Sequence, residues 1–206
     1  MRFLLPGVLA MAAIVVASNI LVQYPLGTFL TWGALTYPFA FLVTDLTNRL
    51  AGPAAARRVV LAGFATGIVC SFIGTRIMGE FGPLVTFRIA LGSGLAFLCA
   101  QLLDISVFNR LRQGRWWTAP LVSTLVSSTL DTAVFFTIAF STALTLLEPA
   151  NDVAWAAAPM PLLSFGPEAP FWVSLAVGDW LVKLQLALVA LVPFRLAVAR
   201  LAARVA

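Results

Sequence analysis

Long apolar runs alternate with short polar breaks along the whole chain. A helix that crosses a bilayer needs about 20 mostly apolar residues. By that rule the sequence predicts six crossings, near residues 3–23, 28–48, 58–76, 84–109, 118–147 and 171–194. The runs are continuous and lack the two-residue alternation of a membrane barrel strand, so the elements are helices. The fifth and sixth exceed the hydrocarbon thickness, and they tilt or project beyond it. Pro38 interrupts the second run, which removes a donor and frees a backbone carbonyl. The first run has one Arg, an apolar core and small residues, as a signal peptide would. Its apolar character continues to Val22, which predicts an uncleaved first crossing. Linkers and low-complexity tracts are missing, and residues 1–206 read as a single transmembrane domain.

Composition sharpens this pattern. Hydrophobic residues make up 61% of the 206 and charged ones only 10%, against about 25% charged in soluble domains. The fold class is therefore an all-α integral membrane protein. The chain has no His, which excludes His-based catalysis and His metal sites. Cys70 and Cys99 lie in apolar runs without a CxxC spacing, and they are expected to be small buried packing residues. No metal, cofactor or catalytic residue is predicted.

The net charge of +5 does not point to nucleic acid, because the basic residues fall between the apolar runs. Arg2, Arg49, Arg57, Arg58, Arg110, Arg112, Arg115, Arg195, Arg200 and Arg204 gather on one side of the predicted crossings, while Arg76 and Arg88 lie on the other. Cytoplasmic loops are enriched in Lys and Arg, so both termini are expected in the cytoplasm. Trp116 and Trp117 suit the headgroup zone, and Pro120 suits the first turn of the next helix. The loop at 148–170 holds five prolines and Glu148, Asp152 and Glu168, and reads as an irregular extracytoplasmic connector in preference to a lid.

Charges inside the crossings carry the chemistry. A charge at the bilayer centre costs about 2.5–3.5 kcal/mol on insertion scales and usually faces a bundle interior. The residues concerned are Asp45, Arg88, Asp104, Asp131, Asp179 and Lys183, with the amides Asn19, Gln23, Gln101 and Gln185. Helical spacing stacks Asn19 on Gln23, Gln101 on Asp104, and Asp179 on Lys183. Asp45 and Asp104 lie near the cytoplasmic ends of their crossings. Asp131 lies near mid-membrane with no basic residue within four positions, so its partner comes from another helix, a ligand or a proton. The stretches "QLLDISVF" (101–108) and "STLDTAVF" (128–135) put an Asp in the same apolar frame on successive, oppositely directed crossings. Paired half-sites of this kind are a recurring transporter device, and the two copies are expected to line one cavity. Ser123, Ser127, Ser128 and Thr132 surround Asp131, and Gly92 and Gly94 lie beside Arg88. Ala13 and Ala17 suit close helix approach.

The stretches "SNILVQYP" (18–25), "TWGALTYPFAFLVTDLTNRLAG" (31–52), "AARRVV" (55–60), "FRIALGS" (87–93), "AQLLDISVFNRLRQGRWWTAP" (100–120) and "STLDTAVFFTIAF" (128–140) closely resemble the YhhQ-type queuosine precursor transporters of the vitamin uptake transporter family. The similarity covers residues 18–140 well, thins through the loop at 148–170, and resumes at "VGDWLVKL" (177–184). The resemblance implies a six-helix inner-membrane carrier of 7-cyano-7-deazaguanine and 7-aminomethyl-7-deazaguanine, salvaged for tRNA modification. It also implies that the polar residues above form the substrate site.

A deazaguanine presents N–H donors beside a carbonyl. A carboxylate accepts two such donors side by side, and an aromatic face stacks on the ring at about 1–3 kcal/mol. Asp131, or else Asp104, is expected on the guanine-like edge, with Gln101 and Arg88 on the carbonyl or 7-substituent. Asn19, Gln23 and Asp45 complete a polar ring, and Trp32, Phe39 or Phe135 supplies the stacking face. Asp179 and Lys183 form an intramembrane ion pair that opens and closes with the cycle. Membrane lipid is the other partner, and the small burial of a six-helix chain favours a homodimer. Three rivals remain: a substrate-binding subunit of an energy-coupling-factor transporter, a membrane enzyme built on Ser174 and Lys183, and a structural membrane protein.

Overall fold

The computed structural model describes residues 4–80 and 82–202. Arg2, Arg204 and the start of the first predicted crossing lie outside the described residues. The chain opens with α1 (Leu4–Leu21), and a two-residue hairpin of β1 (Pro25–Leu26) and β2 (Leu30–Thr31) turns it back. Then come α2 (Trp32–Thr36), α3 (Phe39–Ala51) and α4 (Pro53–Gly74). A second hairpin, β3 (Met78–Gly79) with β4 (Gly82–Pro83), leads to α5 (Phe87–Leu111), and a short turn leads to α6 (Thr118–Phe140). After a 3-10 helix over Thr142–Leu147, the chain forms α7 (Ala154–Ala157) and a hairpin of β5 (Pro159–Pro161) and β6 (Glu168–Pro170). It ends in α8 (Phe171–Ala202).

Among the described residues, α1, α4, α5, α6 and α8 are long and apolar enough to cross a membrane. The second predicted crossing departs from expectation: it is not one helix but α2 and α3. Pro38 has no N–H, so the carbonyl one turn back, on Ala34, loses its helical partner there. Tyr37 and Pro38 nevertheless keep helical backbone angles, so a broken but collinear helical path runs from Trp32 to Ala51. The fifth crossing is also shorter than expected. It ends at Phe140, where Ser141 turns to extended backbone and accepts the amide of Ala143 on its side chain.

Packing follows the small residues. α1 lies on α4, α5 on α6, and α6 on α8, while α3 is wedged among α1, α4, α5 and α8. Gly63 makes the α1–α4–α5 contact: a Cβ there would sit 2.5 Å from Met11 and 2.9 Å from Phe97. Around it Met11, Val15, Ala40, Ala56, Val59, Val60, Phe97 and Ile105 form the apolar core. Gly52, at φ +85°, allows the reversal from α3 into α4 that few other residues would accept. The cysteines contradict their expected burial. Cys99 is exposed and Cys70 half-buried, both free, because the helical period directs Ala96, Ala100 and Asp104 inward on α5 and turns Cys99 away.

The segment after α6 is irregular, as expected, but it is pinned to the helices. The Glu148 carboxylate accepts the amides of Phe87 and Arg88 at 3.0 Å and so caps α5. Ser174 accepts the amide of Leu163 at 3.1 Å, which ties this segment to α8.

Candidate functional site

The inner faces of α3, α5 and α6 hold a polar cluster with almost no access to solvent. Thr44, Asp45 and Asn48 come from α3, Gln101 and Asp104 from α5, and Ser123, Thr124 and Ser127 from α6. The helical period explains each set. Residues 44 and 48, 101 and 104, and 123 and 127 are each three or four apart on one face.

Thr44 Oγ1 donates to Gln101 Oε1 at 2.6 Å, which fixes the amide and leaves Gln101 Nε2 free. Asn48 Nδ2 reaches the Ile105 carbonyl at 3.3 Å, and its Oδ1 has no partner. Ser123 and Thr124 hold the two oxygens of Asp45 at 3.4 Å each. Asp104 lies between the Thr44–Gln101 and Asn48–Ile105 contacts, and neither of its oxygens receives a hydrogen bond. The Ser127 hydroxyl is also unpartnered. Buried polar atoms are nearly always satisfied in native proteins. Here two carboxylate oxygens, an amide N–H group, an amide oxygen and a hydroxyl are left open on the inner faces of α3, α5 and α6. That is the donor and acceptor set for a polar guest.

A narrow cleft between α3, α6 and α8 reaches the edge of this cluster at Asp45 and Thr124. Its walls are mainly apolar and include Pro38, Phe39, Phe41 and Phe194.

A second cluster lies beside it on α6 and α8. Lys183 Nζ contacts Asp131 Oδ2 at 2.6 Å, Asp179 Oδ2 at 2.5 Å and Thr132 Oγ1 at 2.9 Å. Thr132 donates in turn to Asp179 at 2.9 Å. The Tyr37 hydroxyl donates to Asp131 Oδ1 at 3.1 Å. Asp131 thus finds its partner on another helix, and it also tethers the break between α2 and α3. One ammonium faces two carboxylates, so the group carries a surplus negative charge. Tyr37 also lines a second cleft between α1, α4 and α5, together with Asn19, Ser71 and Ser93.

The expected residues divide between these places. Gln101, Asp104 and Asp45 come together, and Phe39 borders the cleft that leads to them. Asp131, Asp179 and Lys183 form the ion cluster. Asp104 and Asp131 do not line one cavity; each is buried in its own group, linked by the α6 face that carries Thr124, Ser127 and Asp131. Arg88 stands apart from them, with its Nη1 buried and unpartnered. It lies 16 residues before Asp104 on α5, about 24 Å away at 1.5 Å per residue. There it donates to the carbonyls of Ile138 at 2.9 Å and Ser141 at 2.5 Å, and clamps the end of α6. Gln23 is exposed beyond the end of α1, so it does not stack on Asn19, whose amide instead bonds the Val15 carbonyl at 2.9 Å. Trp32 is exposed at the start of α2 and touches neither cleft. Phe135 packs on Phe136 and Phe140, away from the open polar atoms. Ser174 and Lys183 do not meet, because nine residues put them on opposite helix faces and both have other partners.

Sequence reasoning did not single out Tyr37, Thr44 or Asn48. The signal was present in part: Thr44 and Asn48 flank Asp45 at helical spacing in an otherwise apolar run.

A family described as "putative vitamin uptake transporter" matches residues 31–198. The Escherichia coli (strain K12) protein named "Queuosine precursor transporter" is 45% identical over 141 residues, which cover 62% of this chain and 64% of that protein. The match thus spans slightly under two thirds of that relative's length. A Haemophilus influenzae protein named "Probable queuosine precursor transporter" is 34% identical over 206 residues, covering 87% of this chain and 79% of that one. A Bacillus subtilis protein of the same name is 34% identical over 134 residues, or 55% of this chain and 58% of that one. No solved structure matches the chain.

Proposed function

The chain belongs to the putative vitamin uptake transporter family, and on that premise we propose that it imports queuosine precursors of the 7-deazaguanine class. The observation that carries the reading is the set of open buried atoms on Asp104, Gln101, Asn48 and Ser127. A deazaguanine edge complements it. Asp104 accepts the ring and exocyclic N–H donors, and Gln101 Nε2 donates to the neighbouring carbonyl. Asp131 is the poorer candidate for that edge, since Lys183 and Tyr37 already occupy its oxygens. Phe39 and Phe41 border the approach and offer apolar faces to a flat ring.

Six crossings with both termini in the cytoplasm complete the proposal. The broken path from Trp32 to Ala51 supplies the sixth crossing. Arg49, Arg57, Arg110, Arg112, Arg115 and Arg195 gather at one end of the antiparallel bundle, as positive-inside sorting requires. The matched relatives bear transporter names, which favours a carrier that works by itself over a binding subunit.

The test is uptake of labelled 7-cyano-7-deazaguanine by cells unable to make it. Removing one partner of a buried, charge-assisted hydrogen bond costs about 2–5 kcal/mol, so Asp104→Asn should weaken apparent affinity by about 30-fold or more. Gln101→Leu should weaken it too. Wild-type uptake by Asp104→Asn protein at equal membrane levels would refute this site.

A further inference from the structure

Asp45 and Asp104 lie between two α3–α5 contacts, Thr44 to Gln101 and Asn48 to Ile105, with 2% and 0% of the residues exposed. Among the described residues both salt bridges belong to Lys183, and none reaches this pair. The surroundings can be named from every side. α3 contributes Thr44 and Asn48, α5 contributes Gln101, and α6 contributes Ser123, Thr124 and Ser127. α8 contributes the apolar Leu186, Ala187 and Ala190. The nearest cation along α3 is Arg49, one turn beyond Asp45, and its guanidinium is turned away to the Arg112 carbonyl at 2.7 Å. Two like charges cannot both persist in so small and dry a place. Ser123 and Thr124 supply two hydroxyl donors at 3.4 Å to Asp45 and none to Asp104, which is too little to hold a double negative charge.

We infer that Asp45 and Asp104 share one exchangeable proton, and that this proton enters the cell with the substrate. This rests on the transport reading above. No covalent bond to carbon changes. Outside, a proton from water binds one carboxylate oxygen of the pair. When the substrate docks, its N–H donors need Asp104 as the carboxylate, so the proton resides on Asp45. The filled site then carries a single negative charge spread over the substrate contacts. Once the site opens to the cytoplasm, substrate and proton leave to water. With the substrate gone its hold on the proton goes too, and water in the opened site hydrates both carboxylates, so the empty carrier turns back without the proton. Linkage requires the converse: if the proton strengthens substrate binding, the substrate strengthens proton binding by the same factor. Asp45 lines the cleft between α3, α6 and α8, so the proton reaches the pair through Asp45.

The experiment uses the purified full chain in liposomes with labelled 7-cyano-7-deazaguanine and a pH dye in the lumen. Counterflow against trapped unlabelled substrate is read first, with no gradient imposed. Its complete absence would overturn the transport reading and the coupling with it. Given counterflow, adding substrate outside should acidify the lumen by about one proton per substrate taken up. An outside-acid gradient should drive accumulation, and a protonophore should abolish it. Asp45→Asn protein should lose the substrate-linked acidification. Counterflow by the wild type without acidification and without any response to the gradient would overturn the coupling alone. So would an unchanged proton-to-substrate ratio in Asp45→Asn protein. The wild-type measurements decide the matter even if that variant fails to fold.

Discussion

Replacing Lys183 with Ala is the sharpest test of the buried ion cluster. Lys183 touches Asp131 at 2.6 Å, Asp179 at 2.5 Å and Thr132 at 2.9 Å, and the side chains of Lys183 and Asp131 are each 4% exposed. At an effective dielectric of about 20, one unit pair at such a distance gains roughly 6 kcal/mol gross. Much of that offsets the desolvation of the charges. The loss on removing one partner is nonetheless large, because an uncompensated charge remains buried, and such deletions cost about 3–5 kcal/mol. Here two carboxylates are stranded at once. For a chain of this size, that loss corresponds to a fall in thermal midpoint of roughly 6–20 °C. The assay is thermal unfolding of the purified protein in one detergent, with wild type, Lys183→Ala, Asp179→Asn, and a triple variant with Asp131→Asn, Asp179→Asn and Lys183→Met. Asp179→Asn should be mild, since its side chain is 14% exposed and Lys183 keeps Asp131. The triple variant should recover most of the stability, because replacing a whole buried charge group by neutral residues is often close to neutral. If Lys183→Ala melted with the wild type, the cluster would not be buried as described and the reasoning would fail.

Other expectations follow from single contacts. Tyr37→Phe should lower stability by about 0.5–1.5 kcal/mol by deleting the donor to Asp131, read by the same melts. Glu148→Ala should cost about 0.5–2 kcal/mol by uncapping α5, and hydrogen exchange should quicken at the amides of Phe87 and Arg88. Gly63→Val should destabilise by about 1–3 kcal/mol through overpacking against Met11 and Phe97, whereas Gly67→Ala on the same helix should be tolerated, since its added Cβ meets only Val15 at 3.7 Å.

Much of this molecule is written in its apolar periodicity. Five long helices appear where the runs put them, although α6 stops at Phe140 short of the predicted 147 and α8 runs to Ala202 past the predicted 194. The break at Pro38 was also visible, since a missing N–H is a property of one residue. What the chain does not display is which face meets which. Asp104 and Asp131 share a frame of neighbours, yet one lies against α3 and the other meets Lys183, and that choice depends on how helices rotate when packed. Arg88 illustrates the same gap: its charge was plain, but its clamp on Ile138 and Ser141 depends on the register of α5 against α6. The cysteines went wrong for a simpler reason. In water an apolar residue is best hidden, whereas in lipid it is equally at home outside, so hydropathy cannot tell the inside of a bundle from its rim.

The interrupted path at Tyr37 and Pro38 is a partition with a chamber on either side. Tyr37 borders one, and Pro38 and Phe39 border the other. A partition that swings into one room must give space to its neighbour, so the two hollows do not widen together. Where the missing rung sits, bending is cheapest, and the tyrosine beside it is held to Asp131 by a single hydroxyl. On the transport reading proposed above, a bend at this lone imino acid opens one hollow while closing the other.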